Sequence, residues 1–411
     1  MRSPKSFRLH IGIFGKRNTG KSSILNVITN QDVSIVSDVA GTTTDPVEKP
    51  MELLPLGPVL FIDTAGIDDA GDLGEKRINK TFAVFDRTDL GVIVTNFQDW
   101  DDFEQKIIDE FTDRAIPFIV VFNKTDLFEV DSEITSKLNS AKISFTKTSA
   151  LNGTGFTELR KLLLNSAPAD YINRPNILAD LVGPGEAAVL VVPIDKEAPK
   201  GRLILPQVQS IRDLLDNDSF SVVVKERELR EALSRFNKPP KLVVTDSQAF
   251  LKVAADTPTE IPLTSFSILF ARFQGDLNEM VRGAMAIDNL KTGDKVLIAE
   301  ACSHHPIGED IGTVKIPRWL TQYVGGKLEI DNLRGHDFPK DISEYKLIIH
   351  CGACMWNRRE MLSRIMKAKE ASVPITNYGL TIAYSLGIFE RALQPFPATL
   401  EIFMEKFKRN L

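Results

Sequence analysis

The stretch Gly15-Lys16-Arg17-Asn18-Thr19-Gly20-Lys21-Ser22 follows a strand-like apolar run and leads into a run with helical spacing. It fits the pattern G-x-x-x-x-G-K-S, whose glycines let backbone N–H groups point at phosphate oxygens beside a helix N-terminus. Lys21 is expected to reach the β- and γ-phosphates, and Ser22 is expected to bind Mg²⁺. Strand, spacing, lysine and serine agree, so the sequence predicts a nucleotide-phosphate loop (P-loop) in an α/β fold.

Two further motifs follow apolar runs and complete a nucleotide site. The segment Asp63-Thr64-Ala65-Gly66 predicts that Asp63 holds Mg²⁺ through water and that the Gly66 amide faces the γ-phosphate. The segment Asn123-Lys124-Thr125-Asp126 supplies a carboxylate, Asp126, that can accept hydrogen bonds from N1–H and the exocyclic amine of guanine. Adenine lacks this pair of donors, so the motif predicts binding of a guanine nucleotide.

The motifs together predict two sets of contacts with GTP. Each motif is short, but their order along the chain and their positions at strand ends make the combination specific. The predicted guanine contacts are Asn123, Lys124, Asp126, Ser149 and Ala150, of which the last two would close over the base. The predicted phosphate contacts are Gly15, Lys16, Arg17, Asn18, Thr19, Gly20, Lys21, Ser22, Ser23 and Gly66.

Length and composition set the class of protein. The chain has 411 residues, of which 43% are hydrophobic and 26% charged, as is ordinary for a globular protein of two to three domains. It has 50 basic and 55 acidic residues, a net charge of −5, so the charge gives no reason to expect a nucleic-acid partner. The sequence contains no apolar run of about 18 residues and no secretory signal. We therefore expect a cytoplasmic protein with neither a membrane nor a nucleic-acid partner.

The pattern along the chain predicts three domains. Short strand-like runs alternate with helical patterns throughout, which is typical of an α/β protein with largely parallel sheets. Two proline-containing stretches, 167–175 and 257–262, are candidate linkers. The expected domains are a P-loop GTP-binding domain at 1–170 and two smaller parallel-sheet α/β domains at 176–260 and 261–411. In the first domain, residues 51–54 and 59–62 are expected to form a hairpin.

All three cysteines lie in the last third of the chain. Cys302 follows one strand-like run, and the stretch His350-Cys351-Gly352-Ala353-Cys354 ends another, so neighbouring parallel strands would bring the three thiols together. An odd number of cysteines argues against a disulfide framework. Three thiolates and a fourth ligand fit Zn²⁺ and an iron–sulfur cluster equally well. Buried unliganded cysteines and a redox-active C-x-x-C pair are the less favoured alternatives.

The order of the nucleotide motifs resembles that of the TRAFAC GTPases, in particular the family of the tRNA-modification GTPase TrmE. The segment Gly41-Thr42-Thr43-Thr44-Asp45 is similar to that family's switch segment, which implies that Thr43 binds Mg²⁺. Asn18 matches the residue that helps to bind an activating K⁺, although it could also be an ordinary loop residue. Glu75 matches the family's catalytic glutamate, with a solvated surface acid as the alternative. The residues that the resemblance implies for catalysis are Lys21, Thr43 and Glu75.

A GTPase domain followed by Cys-x-His and, further on, by His-Cys-x-x-Cys resembles the family of FeFe-hydrogenase maturation GTPases, HydF. The resemblance spans the whole chain. It implies that Cys302, Cys351 and Cys354 hold a 4Fe-4S cluster and that the middle domain forms a homodimer. It also implies a scaffold or carrier, which receives a two-iron precursor from the radical-SAM maturases HydE and HydG and delivers it to apo FeFe-hydrogenase.

The sequence does not decide which group is the fourth ligand of such a cluster. His304, His350 and Glu309 are candidates, either as ligands or as hydrogen-bonding neighbours, and His305 and water are others. A carrier needs one replaceable ligand, because a site closed by four thiolates offers no docking point. Two other functions remain as alternatives, namely a regulatory TrmE-like GTPase with a structural zinc and a redox-sensing cluster that controls the GTPase.

Overall fold

The structure, a computed structural model, describes residues 4–30, 46–53, 56–64, 83–98, 100–129, 131–172, 175–194, 203–301, 310–339 and 341–409. The chain forms two compact units, Met1–Arg174 and Pro175–Leu411. Strands and helices alternate in both units, as expected of an α/β protein. Among the helices in these ranges, none is long and apolar enough to cross a membrane.

The first unit contains a six-stranded sheet in the order β2-β3-β1-β4-β5-β6. Strand β2 is antiparallel to β3, and the other neighbouring pairs are parallel. The strands are β1 (Leu9–Phe14), β2 (Val47–Leu53), β3 (Gly57–Asp63), β4 (Leu90–Thr95), β5 (Phe118–Phe122) and β6 (Phe145–Lys147). The helices whose bounds lie within the described residues are α1 (Lys21–Asn30), α2 (Asp102–Asp113), α3 (Ser132–Ser140), α4 (Phe156–Ser166) and α5 (Ala169–Ile172).

The central strands of this sheet are apolar because both of their faces are covered. Every residue of β1 and of β4 is buried, as is typical of a parallel sheet between helices. Ile11 and Phe14 belong to different core clusters, one on each face of the sheet. Strands β2 and β3 form the predicted hairpin, with pairing from Val47–Asp63 to Leu53–Gly57. The sheet therefore presents the carboxyl ends of its parallel strands at one edge, where the predicted motifs lie.

The second unit contains two four-stranded sheets, in the orders β10-β9-β7-β8 and β12-β11-β13-β14, and all of their neighbouring strands are parallel. The strands of the first are β7 (Ala187–Val191), β8 (Phe220–Val224), β9 (Leu242–Thr245) and β10 (Leu263–Ser265). Those of the second are β11 (Lys295–Glu300), β12 (Glu329–Arg334), β13 (Leu347–His350) and β14 (Ile375–Asn377). The expected class, an N-terminal α/β domain followed by two smaller parallel sheets, is confirmed.

Helices connect and cover the strands of both sheets. The helices in residues 175–275 of the second unit are α6 (Ala179–Val182), α7 (Leu205–Asp216), α8 (Leu229–Ser234), α9 (Phe250–Asp256) and α10 (Phe266–Gln274). Those in the rest of this unit are α11 (Leu277–Met285), α12 (Ile316–Val324), α13 (Arg358–Glu370), α14 (Tyr378–Ser385), α15 (Phe389–Leu393) and α16 (Pro397–Arg409). Strand β10 pairs with β9 and lies just beyond the expected domain boundary at residue 260. The three expected domain ranges stay a prediction.

Candidate functional site

The P-loop curls tightly between β1 and α1. Gly15 has a φ of 150°, and a Cβ atom there would lie 2.1 Å from the Val94 carbonyl oxygen. Gly20 has a φ of 93°, and a Cβ atom there would lie 2.2 Å from Nδ2 of Asn123. Asn18 is left-handed as well, with a φ of 62°, a conformation that asparagine tolerates better than most residues. Both glycines are therefore required by close approach and not by flexibility alone.

Lys21 lies inside this curl, as its predicted role requires. Its side chain is buried, and Nζ donates hydrogen bonds to the carbonyl oxygens of Gly15, at 2.8 Å, and of Lys16, at 2.6 Å. The ammonium group is thus held at the centre of the loop, where the loop's backbone amides and the start of α1 add positive potential. The loop can therefore neutralise the charge of a phosphate group.

The two predicted Mg²⁺ ligands that the structure describes lie next to each other. Ser22 Oγ donates a hydrogen bond to Asp63 Oδ2 at 2.9 Å. Burial raises the pKa of the Asp63 carboxyl, while the Ser22 hydrogen bond and the charge of Lys21 oppose the rise. The other oxygen, Asp63 Oδ1, is buried and has no hydrogen-bond partner among the described residues. A hydroxyl and a carboxylate with an unused oxygen are ligands that Mg²⁺ prefers, so these residues fit the ion.

Asn123 connects the P-loop with the segment predicted to close over the base. Its Nδ2 donates to the Thr19 carbonyl oxygen at 3.0 Å, and its Oδ1 accepts the Ala150 N–H at 3.1 Å. Ser149 Oγ donates to Asp126 Oδ1 at 2.5 Å. The structure therefore brings the predicted guanine motif and the predicted closing segment together. The Asn123 side chain thus connects the phosphate end of the site with the base end.

Sequence reasoning missed two acidic residues that hold the P-loop from outside. Lys16 Nζ lies 2.6 Å from Asp101 Oδ2 and 3.4 Å from Glu104 Oε2. Asp101 and Glu104 form the capping box of α2, in which each side chain accepts a backbone N–H. The spacing Asp-x-x-Glu before a helical run is the signal that could have found them. The Lys16 ammonium group is engaged by these two carboxylates. We therefore expect Lys16 to make its predicted phosphate contact through its backbone N–H.

Several predicted residues lie outside the described residues. They are Thr43, Gly66 and Glu75 of the nucleotide site, and Cys302, His304, His305 and Glu309 of the cysteine site. The described part of the cysteine site consists of Cys351, Cys354 and His350. No group of three histidine, cysteine or acidic side chains that could hold a metal ion occurs within the ranges the structure describes. The prediction that Cys302 supplies the third thiol therefore rests on the sequence alone.

The strands expected to meet at the cysteine site are neighbours. Strands β11 and β13 are parallel, with Ala299 opposite His350, and the Cys351 N–H donates to the Ala299 carbonyl oxygen at 2.9 Å. Just beyond, the Ala301 N–H donates to Cys351 Sγ at 3.1 Å. Ala301 is the residue that precedes Cys302 in the sequence. Backbone N–H donors to sulfur are among the interactions that tune iron–sulfur clusters, so this thiol fits a cluster ligand.

The turn between Cys351 and Cys354 is compact. Both cysteines are half-buried, and Ala353 between them is buried with a left-handed φ of 50°. The Cys351 sulfur in this turn accepts the Ala301 N–H, and a backbone N–H donor favours negatively charged sulfur. The described part of the site therefore suits thiolates better than buried neutral thiols.

His350 is fully buried next to this turn. Its Nδ1 lies 2.9 Å from the Cys351 carbonyl oxygen, and its Nε2 lies 3.1 Å from Nη1 of Arg364. Burial and the charge of Arg364 lower the pKa of His350 to about 3. The imidazole is therefore neutral at physiological pH.

Three family models match the chain. The model of the 50S ribosome-binding GTPase matches residues 10–124, the hydrogen maturase F dimerization domain matches residues 177–275, and the hydrogen maturase F tetramerization domain matches residues 278–395. The last two together take up more than half of the chain. The chain belongs to the hydrogen maturase F family. The family resemblance that the motifs indicated is thereby confirmed.

Curated relatives of this hydrogen maturase F chain match less than half of its length. The tRNA modification GTPase MnmE of Bacteroides thetaiotaomicron is 33% identical over 189 residues, which are 43% of this chain and 40% of that protein. GTPase Der of Wolinella succinogenes is 35% identical over 169 residues, which are 38% of this chain and 35% of that protein. The chain thus spans well under half the length of these relatives.

Solved structures are similar to a part of the chain. Era from Aquifex aeolicus is 21% identical and covers 56% of this chain and 98% of its own, with a TM-score of 0.33. The G domain of the FeoB iron transporter from T. maritima is 17% identical and covers 39% of this chain and 98% of its own, with a TM-score of 0.31.

Proposed function

We propose that this hydrogen maturase F chain is a GTPase and an iron–sulfur carrier that completes the active-site cluster of FeFe-hydrogenase. The observation that carries the carrier function is the hydrogen bond from Ala301, the residue before Cys302, to the Cys351 sulfur. It joins the two strand ends that bear the cysteines, in a chain whose C-terminal domains are those of hydrogen maturase F. A regulatory GTPase that binds no metal has no need of such a site, and one with a structural zinc is separated from the carrier by the experiment below.

The GTPase reaction uses the loop between β1 and α1. Lys21 donates from the centre of the loop to the β- and γ-phosphates, as the Gly66 amide does to the γ-phosphate. Ser22, Thr43 and, through water, Asp63 would hold Mg²⁺, whose charge stabilises the phosphate oxygens. Asn18 would help to hold K⁺. Glu75 would orient the attacking water, because Ile67, which follows Gly66 in the sequence, is apolar and cannot do so.

The cysteine site holds the cluster. Cys302, Cys351 and Cys354 would ligate a 4Fe-4S cluster, which supplies one iron with a replaceable ligand. That iron gives the two-iron precursor a place to dock as cargo. His304 and Glu309 are candidates for the fourth position, and His350 is assigned a different part below.

The cargo comes from one set of partners and goes to another. HydE and HydG supply the two-iron precursor, and apo FeFe-hydrogenase takes it up in the cytoplasm. GTP binding or hydrolysis would change the GTPase domain and so gate the exchange of partners. The chain would act as a homodimer or a higher oligomer, in keeping with its dimerization and tetramerization domains. The proposed domains are GTP binding at 1–170, dimerisation at 176–260 and cluster binding at 261–411.

The experiment is reconstitution of hydrogenase. The protein is purified without oxygen from cells that also make HydE and HydG, mixed with apo FeFe-hydrogenase, and hydrogen evolution is followed. We expect hydrogen evolution with the natural chain and none with Cys351→Ala, which also loses iron. Met366→Ala is the matched control, because Met366 is 61% exposed and removes a different sulfur from the same domain.

Three results would contradict the proposal. Hydrogen evolution that survives Cys351→Ala would remove the cysteine site from the transfer reaction. Zinc in place of iron, together with no hydrogen evolution, would favour a regulatory GTPase with a structural zinc. GTP turnover that responds to cluster oxidation without any transfer would favour the redox-sensing alternative.

A further inference from the structure

We infer that Arg364 is a positioning residue of the cysteine site, which fixes the tautomer of His350 and so removes this histidine from the candidate cluster ligands. The inference rests on the proposed function, because it refines the ligand set of the same site. It concerns two buried residues, His350 at the end of β13 and Arg364 on α13.

Arg364 is held in one orientation by several contacts. Its side chain is 3% exposed, and Nη2 donates to the carbonyl oxygens of Gly335, at 2.9 Å, and Asp337, at 3.2 Å. The guanidinium carbon lies 4.1 Å from the ring centre of Trp356 and 4.7 Å from that of Phe338. Because the planar group is bonded through Nη2 to two carbonyl oxygens and lies against two aromatic rings, Nη1 is fixed in its direction toward His350.

The direction of each hydrogen bond follows from the chemistry of arginine. A guanidinium group has N–H donors and no acceptor, so Nη1 donates and His350 Nε2 accepts, at 3.1 Å. The proton of the neutral imidazole must then be on Nδ1. From there it is donated to the Cys351 carbonyl oxygen, at 2.9 Å.

A histidine in this state has no lone pair to give to iron. The lone pair of Nε2 points at Arg364, and Nδ1 carries the proton. The ring is 0% exposed and packs edge-on against Trp356, with ring centres 5.2 Å apart, so it has little room to turn. The contribution of His350 is to fix the carbonyl group of Cys351 and thereby the turn that leads to Cys354. The fourth position is left to residues 304–309, to solvent or to the cargo.

The first test separates ligation from positioning by two substitutions at His350. His350→Asn can keep a donor near the position of Nδ1, whereas His350→Gln can keep an acceptor near Nε2. Protein labelled with ¹⁵N-histidine is loaded with iron and sulfide and reduced, and pulsed EPR records nitrogen couplings. We expect the nitrogen couplings to be the same in the natural chain and in both variants. We also expect His350→Asn to keep iron better than His350→Gln, because it retains the bond to Cys351.

The second test removes the positioning group. Arg364→Met is expected to lose iron to a chelator about 10-fold faster than the natural chain, because His350 would no longer be held in the orientation that fixes the Cys351 carbonyl group, and outer-shell contacts of this kind support metal retention. Arg364→Lys keeps the charge but cannot bond to His350, Gly335 and Asp337 at once, so it should restore only part of the retention. Lys369→Met is the matched control: it removes one cation from the exposed side of the same helix. It should behave like the natural chain.

The overturning results are specific to this inference. A strong nitrogen coupling that is present in the natural chain and lost in His350→Gln would show that His350 is a ligand. Should the variants fail to hold a cluster, NMR of the five histidines in the apo-protein still decides the tautomer. An Nε2–H signal for His350 would overturn the inference, and an Nδ1–H signal would support it. Neither result depends on hydrogenase, whereas the carrier function fails if reconstitution yields no hydrogen.

Discussion

Asp126 is the residue on which we expect the choice of nucleotide to depend. Ser149 Oγ donates to its Oδ1 at 2.5 Å, which fixes the orientation of the carboxylate. The neighbouring Asn123 side chain connects this end of the site with the P-loop. A fixed acceptor pair discriminates between bases because a base without the matching donors leaves the carboxylate unpaired. The hydrogen bond from Ser149 therefore contributes to specificity by orientation.

Asp126→Asn should change the preferred base. The amide can accept the N1–H group but turns an N–H toward the exocyclic amine of guanine, so GTP should bind more weakly by about 2–3 kcal/mol. Xanthosine triphosphate has a carbonyl oxygen in place of that amine and should bind the variant better than GTP. Binding of both nucleotides, measured with fluorescent analogues, checks this prediction. Asp113→Asn, an exposed acid of α2, should leave both affinities unchanged, and equal weakening for both nucleotides in Asp126→Asn would contradict it.

At the scale of elements, the hairpin strand β2 is connected to two other segments of the first unit by ion pairs of Glu48. Glu48 lies 2.5 Å from both Lys5 Nζ and Arg87 Nη1, and its two oxygens are each engaged. Burial acts to raise the pKa of Glu48, but the hydrogen bonds and charges of Lys5 and Arg87 outweigh it and lower the pKa below 4.5. The ionised carboxylate thus stabilises the folded state.

The pH dependence follows from the sign of this shift. A carboxyl whose pKa is lowered by folding stabilises above its unfolded pKa, near 4.5, and loses that contribution as the pH falls further. Glu48→Gln should therefore lower the free energy of unfolding of the GTPase unit by about 1 kcal/mol at pH 7. The difference from the natural chain should shrink below pH 4.5. Thermal unfolding at several pH values measures it.

Glu52→Gln provides the control for this prediction. Glu52 is an exposed acid of the same strand. Its substitution should leave the unfolding midpoint nearly unchanged at every pH. A deficit of Glu48→Gln that stayed constant from neutral to acidic pH would show that charge is not the cause.

At the scale of the whole molecule, continuous apolar strands were predictable from the sequence, whereas the edge strands β12 and β14 were not. Strand β1 is buried along its length, so its sequence is apolar throughout, and the P-loop after it is unmistakable. Strand β12 has the sequence Glu-Ile-Asp-Asn-Leu-Arg and is largely exposed, and β14 has three residues. Neither leaves a run of apolar residues long enough to indicate a strand. Edge strands of small sheets are therefore the part of the fold that local sequence hides.

The sites show the same division between local and distant information. The contact between Ser22 and Asp63 was predictable because both belong to motifs at strand ends of one sheet. The bond between Arg364 and His350 was not, because it depends on how α13 packs on β13, and no local pattern encodes that packing. The contact of Lys16 with Asp101 likewise joins a loop to a distant helix cap. Sequence thus indicates which residues carry chemistry better than it indicates which residues hold them in place.

The two sites are built from different units of the chain, which predicts that each can be lost separately. The described nucleotide residues lie within Met1–Arg174, and the described cysteine residues lie within Pro175–Leu411. Lys21→Ala should reduce GTP turnover by at least about 100-fold, because it removes a donor to the phosphates. Its iron content should equal that of the natural chain. Cys354→Ala should lose iron yet keep GTP turnover within about twofold, as expected of a substitution outside the unit that holds the described nucleotide residues.

Iron analysis and phosphate release, measured on the same two purified variants, check whether each site is lost without the other. Circular dichroism of both variants would show whether either substitution unfolds the chain. A Cys354→Ala variant that is folded but has a changed GTP turnover would contradict independence, because its nucleotide residues are all intact. Cluster occupancy would then act on the GTPase, and the carrier would have to be described by the free energy that couples its two sites.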